Sequence, residues 1–203
     1  MRTWWGIGGI LLVIAGTCAV AFGQDLKPAM ENQHVSVWDV TWRDGMKNPV
    51  PGRDRDVVVL WIAGPQARTS TFIAKGSAHD VRGSEGSRSL IVELKDAPAA
   101  RYENTGGYPA AFPRPHDKKL LENDHVAVWF YRWNPGEPTP MHFHDKDALV
   151  VYLEPTALVS TTPDGSKTES DYKAFDIRFH KGNRTHTELL ARGNGSAMIM
   201  ELK

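Results

Sequence analysis

The stretch Gly136-Glu137-Pro138-Thr139-Pro140-Met141-His142-Phe143-His144, read together with Lys181-Gly182-Asn183-Arg184-Thr185-His186 some forty residues later, decides the reading of this chain. A His-x-His pair on an extended strand puts both imidazoles on one face, because side chains two apart point the same way. A third imidazole from a strand across a barrel completes a facial set that leaves positions open for water, dioxygen or substrate. His142 and His144 are therefore two arms of a candidate chelate, and the lone His186 is an imidazole of the kind that would complete it.

Working outward, the segment just before this motif has a twin. Glu31-Asn32-Gln33-His34-Val35-Ser36-Val37-Trp38 recurs as Glu122-Asn123-Asp124-His125-Val126-Ala127-Val128-Trp129, an offset of 91 that continues without a gap to Trp61/Tyr152 with 12 identities over 31 positions. The ends realign at an offset of 108, Ser89–Lys95 on Ala197–Lys203, so the second copy carries 17 extra residues in its middle. A repeat of this length marks a duplicated unit. Val35–Trp42 and Val126–Trp133 alternate β-branched and aromatic residues, Val57–Ile62 and Leu149–Leu153 are short apolar runs, and Gly, Pro and Asn turns separate them. That pattern predicts an all-β antiparallel barrel or sandwich. The expected organisation is a degenerate first copy over 24–97, a Pro- and Gly-rich linker over 98–117 draped on the surface, and a His-bearing copy over 118–203.

Glycine, five residues, His-x-His and then a Gly-containing turn leading to a lone His resembles the two signature motifs of the cupin superfamily. The resemblance covers residues 122–203 by motif and 31–95 through the repeat. It implies a cupin-type jelly-roll β-barrel in two tandem copies, with His142, His144 and His186 as metal ligands. The chain departs from the family pattern at three places: Ala148 stands where the usual glutamate ligand falls, Asn183 where glycine is common, and Leu190 where asparagine is expected. Asp147 lies next to Ala148 but faces the other side of a regular strand. Asn183 is a mild change, since Asn tolerates the left-handed conformation. In the first copy Pro51 and Arg53 replace the His pair and only His79 matches His186, so that copy is expected to be metal-free. His34, His116, His125 and His180 read as structural or exposed, and Trp129, Tyr131, Trp133, Met198 and Met200 as barrel packing rather than a substrate box.

Composition bounds the function classes. Lys+Arg and Asp+Glu are equal at 24 each with no basic run, which excludes a nucleic-acid binder. Arg2, an apolar stretch from Trp4 to Phe22 and the small residues Ala19, Ala21 and Gly23 follow the order of a secretory signal over 1–23, cleaved after Gly23 or after Ala21, with an uncleaved membrane anchor as the competing reading. Cleavage would remove the single cysteine, Cys18, and give an exported, periplasmic or secreted chain without disulfides or membrane attachment. Three readings remain open at this level. One is an oxidoreductase or dioxygenase-like enzyme using a divalent transition metal (Fe, Mn, Ni, Cu or Zn) on a small molecule, a carboxylate included; the second is a non-catalytic small-ligand or carbohydrate-binding cupin without metal; the third is a purely structural protein with vestigial histidines. A homodimer is the expected assembly partner.

Overall fold

The computed structural model describes residues 27–46, 54–77 and 81–203. Among them the chain is built from strands without a helix. The signal and cleavage reading of residues 1–23, and the first-copy positions Pro51, Arg53 and His79, lie outside the described residues.

The first copy forms one antiparallel sheet. Its strands are β1 (Met30–Glu31), β2 (Val35–Thr41), β3 (Val57–Ala63), β4 (Thr69–Ile73) and β5 (Arg88–Leu94), in the order β1-β2-β5-β3-β4. The second copy repeats that sheet with β6 (Asp117–Glu122), β7 (Val126–Arg132), β9 (Ala148–Tyr152), β12 (Ile177–His180) and β14 (Ser196–Leu202), in the order β12-β9-β14-β7-β6. Read from the opposite edge, the two orders are the same. The second copy then adds a four-stranded sheet, β11-β10-β13-β8, from β8 (His142–His144), β10 (Thr156–Thr161), β11 (Lys167–Tyr172) and β13 (Arg184–Gly193). Its two antiparallel sheets face each other as a jelly-roll barrel, with Leu158 and Leu190 of one packing on Val150 and Ile199 of the other. The 17 extra residues are the β10–β11 hairpin, Thr156 to Tyr172; in the first copy, β3 passes to β4 through the short turn 64–68 instead.

The sequence pattern explains which faces are buried. On β2, Val35 and Val37 point one way while Trp38 and Val40 point the other, and all four are buried. A strand covered on both faces reads as a nearly continuous apolar run, which is why β3, β9 and β14 lack polar alternation. Val35, Val37, Val58, Leu60, Leu90 and Val92 of the first copy pack with Val126, Val128, Leu149, Val151, Met198 and Met200 of the second in one core between the two five-stranded sheets. A second core fills the barrel with Trp129, Tyr131, Trp133, Val150, Tyr152, Leu158, Leu190 and Ile199. Trp129 and Tyr131 thus do pack in the barrel, Trp133 packs there but also lines the cavity, and Met198 and Met200 point to the other copy.

Segment 98–117 differs from a linker lying on the surface. It runs beside β8, with the Ala111 N–H donating to the Phe143 carbonyl at 2.9 Å and the Phe143 N–H donating to the Pro109 carbonyl at 2.8 Å. Residues 103–110 are mostly exposed, but Ala111 and Phe112 are buried and the Arg114 side chain is only 5% exposed. Pro and Gly suppress strand alternation, so composition alone hid the apolar and cationic groups that this segment sends inward.

Candidate metal centre

β8 and β13 pair antiparallel with His186 opposite His142 and Arg184 opposite His144. Directly paired residues on one face bring their side chains together, so three imidazoles from two strands meet inside the barrel. The ring centroids lie 4.9, 4.9 and 5.0 Å apart, a nearly equilateral triangle. His144 Nε2 is 3.1 Å from His142 Nε2 and 3.0 Å from His186 Nε2, and one nitrogen from each ring falls within 4.8 Å of the others. Ligands at ~2.1 Å from one ion and at right angles to each other stand ~3.0 Å apart, so these spacings match edges of an octahedral face. The triad fits a divalent transition metal.

The outer nitrogens are held. His142 Nδ1–H donates to the Pro140 carbonyl at 2.8 Å, which leaves Nε2 as an inward lone pair. His186 Nδ1 pairs with Ser160 Oγ at 2.7 Å, the arrangement that fixes the tautomer of a ligating imidazole. Burial, assisted by the Arg114 guanidinium, pushes His142 down to about 4. Burial also drives His144 well below the usual histidine range, with Arg184 adding to it, and lowers His186. All three are therefore neutral at pH 7 and able to ligate.

Two charged residues that motif reading passed over complete the site. Glu188 follows His186 by two and so shares its face on β13; that alternation was the available signal. Arg114 comes from the segment beside β8 and had none. The Arg114 guanidinium lies 3.5 Å from the Glu188 carboxylate, stacks over Tyr131 at 3.9 Å and Phe112 at 4.6 Å, and reaches His142 Nε2 at 3.1 Å. Burial would raise the Glu188 carboxyl, but Arg114, His186, His142 and the Trp133 indole N–H, which donates to it at 3.1 Å, hold it down at about 2. The barrel carboxylate is thus ionised and turned to a guanidinium.

The departures from the family pattern have defined places. Ala148 is buried and lines the cavity beside His144. Asp147 turns away, accepting the Tyr102 hydroxyl at 3.0 Å and the Gly182 N–H at 2.8 Å on Oδ1. Asn183 adopts φ 57°, the left-handed conformation anticipated for it. Leu190 belongs to the barrel core. His180, read from sequence as structural or exposed, lines the cavity, and burial followed by Arg184 pushes it down to about 4. His116 is exposed beside Glu137, while His34 and His125 serve the contact between copies.

The centre opens into a cavity of ≈ 490 Å³. Phe112, Trp133, Tyr152 and Tyr172 give it aromatic walls, Ser160, Thr162, Thr168 and Ser170 supply hydroxyls, and Arg184 adds a second guanidinium. Burial lowers the Arg184 proton affinity, with no change in its charge at neutral pH.

No protein-family model matches the chain, and no curated protein matches it. Solved structures that it resembles include a cupin domain from Bordetella pertussis Tohama I, at 23% identity over 47% of this chain and 96% of that one, with a TM-score of 0.40. The cupin 2 conserved barrel domain protein from Leptotrichia buccalis matches at 12% identity over 86% of each chain, with a TM-score of 0.49. An RmlC-like cupin family protein with a double-stranded β-helix fold from Methanocaldococcus jannaschii matches at 14% identity over 53% of this chain and 90% of that one, with a TM-score of 0.37.

Proposed function

Starting from a cupin-type barrel that gathers three neutral imidazoles around one point, we propose that this protein is an exported, metal-dependent oxidoreductase of the dioxygenase-like kind, acting on a small molecule in the ≈ 490 Å³ cavity. The observation that carries the proposal is the convergence of three imidazoles, His144 Nε2 lying 3.1 Å from His142 Nε2 and 3.0 Å from His186 Nε2, with the outer nitrogens of His142 and His186 tied to Pro140 and Ser160. A divalent ion there supplies Lewis acidity and positions for dioxygen or substrate. The chain's own groups do the rest. Aromatic walls exclude water, the ion-paired Glu188 stays ionised beside the triad, and Trp133 holds that carboxylate in orientation.

One contact favours a second reading. Arg114 Nη1 donates at 3.1 Å into the His142 lone pair that a metal requires, which suits a metal-free pocket that binds small ligands directly. Metal analysis of protein purified without added metal separates the two. About one equivalent of a single transition metal, lost in His144→Ala, supports the enzyme; titration with Fe(II), Mn(II), Ni(II), Cu(II) and Zn(II) at neutral pH without histidine-dependent binding establishes the binding module. Export rests on the order of charge, apolar run and small residues over 1–23. Intact-mass analysis of protein from the outer compartment tests it, and a mass that retains residues 1–23 rejects cleavage.

A further inference from the structure

β13 places Arg184, His186 and Glu188 at alternate positions, so all three side chains share the cavity face. The two guanidiniums of the cavity differ in their partners. Arg114 is neutralised by Glu188 at 3.5 Å and spread over aromatic rings. Arg184 donates its Nε–H to the Lys181 carbonyl at 2.7 Å, and among the described residues no carboxylate oxygen lies within 4.0 Å of it. Arg184 is half-buried and feels the Glu188 charge only from beyond ion-pairing distance, so a ligand carboxylate would supply the close counter-ion that it lacks. A guanidinium fork matches a carboxylate bidentately, which an ammonium cannot do.

The wall beside Arg184 is flat and aromatic. Tyr152 stacks on Tyr172 with centroids 3.7 Å apart and planes at 10°, and Trp133 lies nearly parallel to Tyr152 at 6.2 Å. Tyr172 belongs to the β10–β11 hairpin that the first copy lacks, so its part of the wall is specific to the second copy, whereas Trp61 and Trp42, the repeat mates of Tyr152 and Trp133, pair in the first copy as well at 5.7 Å. We propose that Arg184 is the anion-recognition residue of the cavity and that the ligand is a small aromatic carboxylic acid, its carboxylate on Arg184 and its ring along Tyr152 and Trp133. This names the substrate class of the proposed function; it uses the same cavity but not the metal.

Calorimetric titration of the full chain with benzoate, benzamide and benzylamine, before and after chelator treatment, tests it. Benzoate is expected to bind roughly tenfold or more tightly than the two uncharged or cationic analogues in both states, since a charge-assisted bidentate pair is lost with either. Arg184→Gln should erase the preference while Zn(II) binding is retained or tightened, because the three imidazoles remain and a cation paired opposite His144 is removed. Arg184→Lys keeps the charge without the fork and should retain a reduced preference, which guards against a glutamine variant that fails to fold. Equal binding of benzoate and benzamide, a preference that survives Arg184→Gln, or one that vanishes with the chelator overturns the proposal. Benzoate discrimination without any metal binding rejects the metalloenzyme and leaves the anion site standing.

Discussion

His34 of the first copy sets its Nε2 3.8 Å from the Asp147 carboxylate of the second, and its repeat mate His125 sits 3.6 Å from Asp56, the repeat mate of Asp147. The same reciprocity governs the rings. His34 stacks on Phe179 and His125 on Phe72, each at 5.9 Å with planes within 12°. The duplicated halves therefore meet as an isologous pair, each lending one histidine to the other across a local two-fold relationship. Asn32 and Asn123 cap the entering strands alike, accepting the N–H groups of His34 and Val35 and of His125 and Val126.

This packing predicts that the His-bearing half does not stand alone. Residues 98–203, which keep Phe112 and Arg114, expressed in isolation would expose Val126, Val128, Leu149, Val151, Met198 and Met200, all buried against the first copy. An apolar face of that size drives association. The fragment should be insoluble or self-associated by sedimentation, and co-expression with 24–97 should restore a soluble pair. A monomeric, well-folded fragment would refute the mutual dependence. In the full chain, Leu149→Ala should cost about 2–5 kcal/mol in denaturant unfolding.

For the metal centre, the outer hydrogen bonds should be measurable. Ser160→Ala removes the partner of His186 Nδ1 and should weaken metal affinity roughly 10–100-fold, as loss of such an orienting partner does. His144→Ala, which removes the nitrogen adjacent to both others, should abolish binding. Direct titration of the two variants with Zn(II) or Mn(II) checks the order, and equal affinity for wild type and Ser160→Ala would remove the orienting role of that hydroxyl.

Ala148→Glu restores a carboxylate where the cupin motif usually has one. Residue 148 faces the cavity beside His144, so the new group should tighten metal binding. It should also weaken benzoate binding through like charge. Unchanged metal affinity in a folded variant would mean that the carboxylate does not reach the triad.

Acid should destabilise chelator-treated protein over a defined window. Burial depresses His142 to about 4, and His144 and His186 move in the same direction. Above the unfolded value near ~6.5 the rings are neutral in both states and contribute nothing; as pH falls below it, the unfolded chain takes up protons that the folded chain refuses. Stability should drop between about pH 6.5 and 4, by roughly 3 kcal/mol from His142 alone at about 1.4 kcal/mol per unit. The loss should shrink in His142→Gln, and a flat unfolding free energy across that window would contradict the burial account. Bound metal should be released over the same interval.

Local pattern was enough for the elements and for the shared face of the candidate ligands. Period-two alternation identified β2 and β7, the repeat paired them, and the spacing of His142 and His144 placed both imidazoles on one face, because on a strand the sequence interval is the direction. The left-handed Asn183 and the outward Asp147 were legible for the same reason. Contacts between segments were not. That the two copies pack sheet against sheet, that Phe112 and Arg114 enter the barrel from a Pro-rich segment, and that Arg114 claims Glu188 while Arg184 is left facing the cavity were decided by tertiary structure alone. Alternation tells which face a side chain takes, while burial and charge pairing between distant strands determine what that face meets.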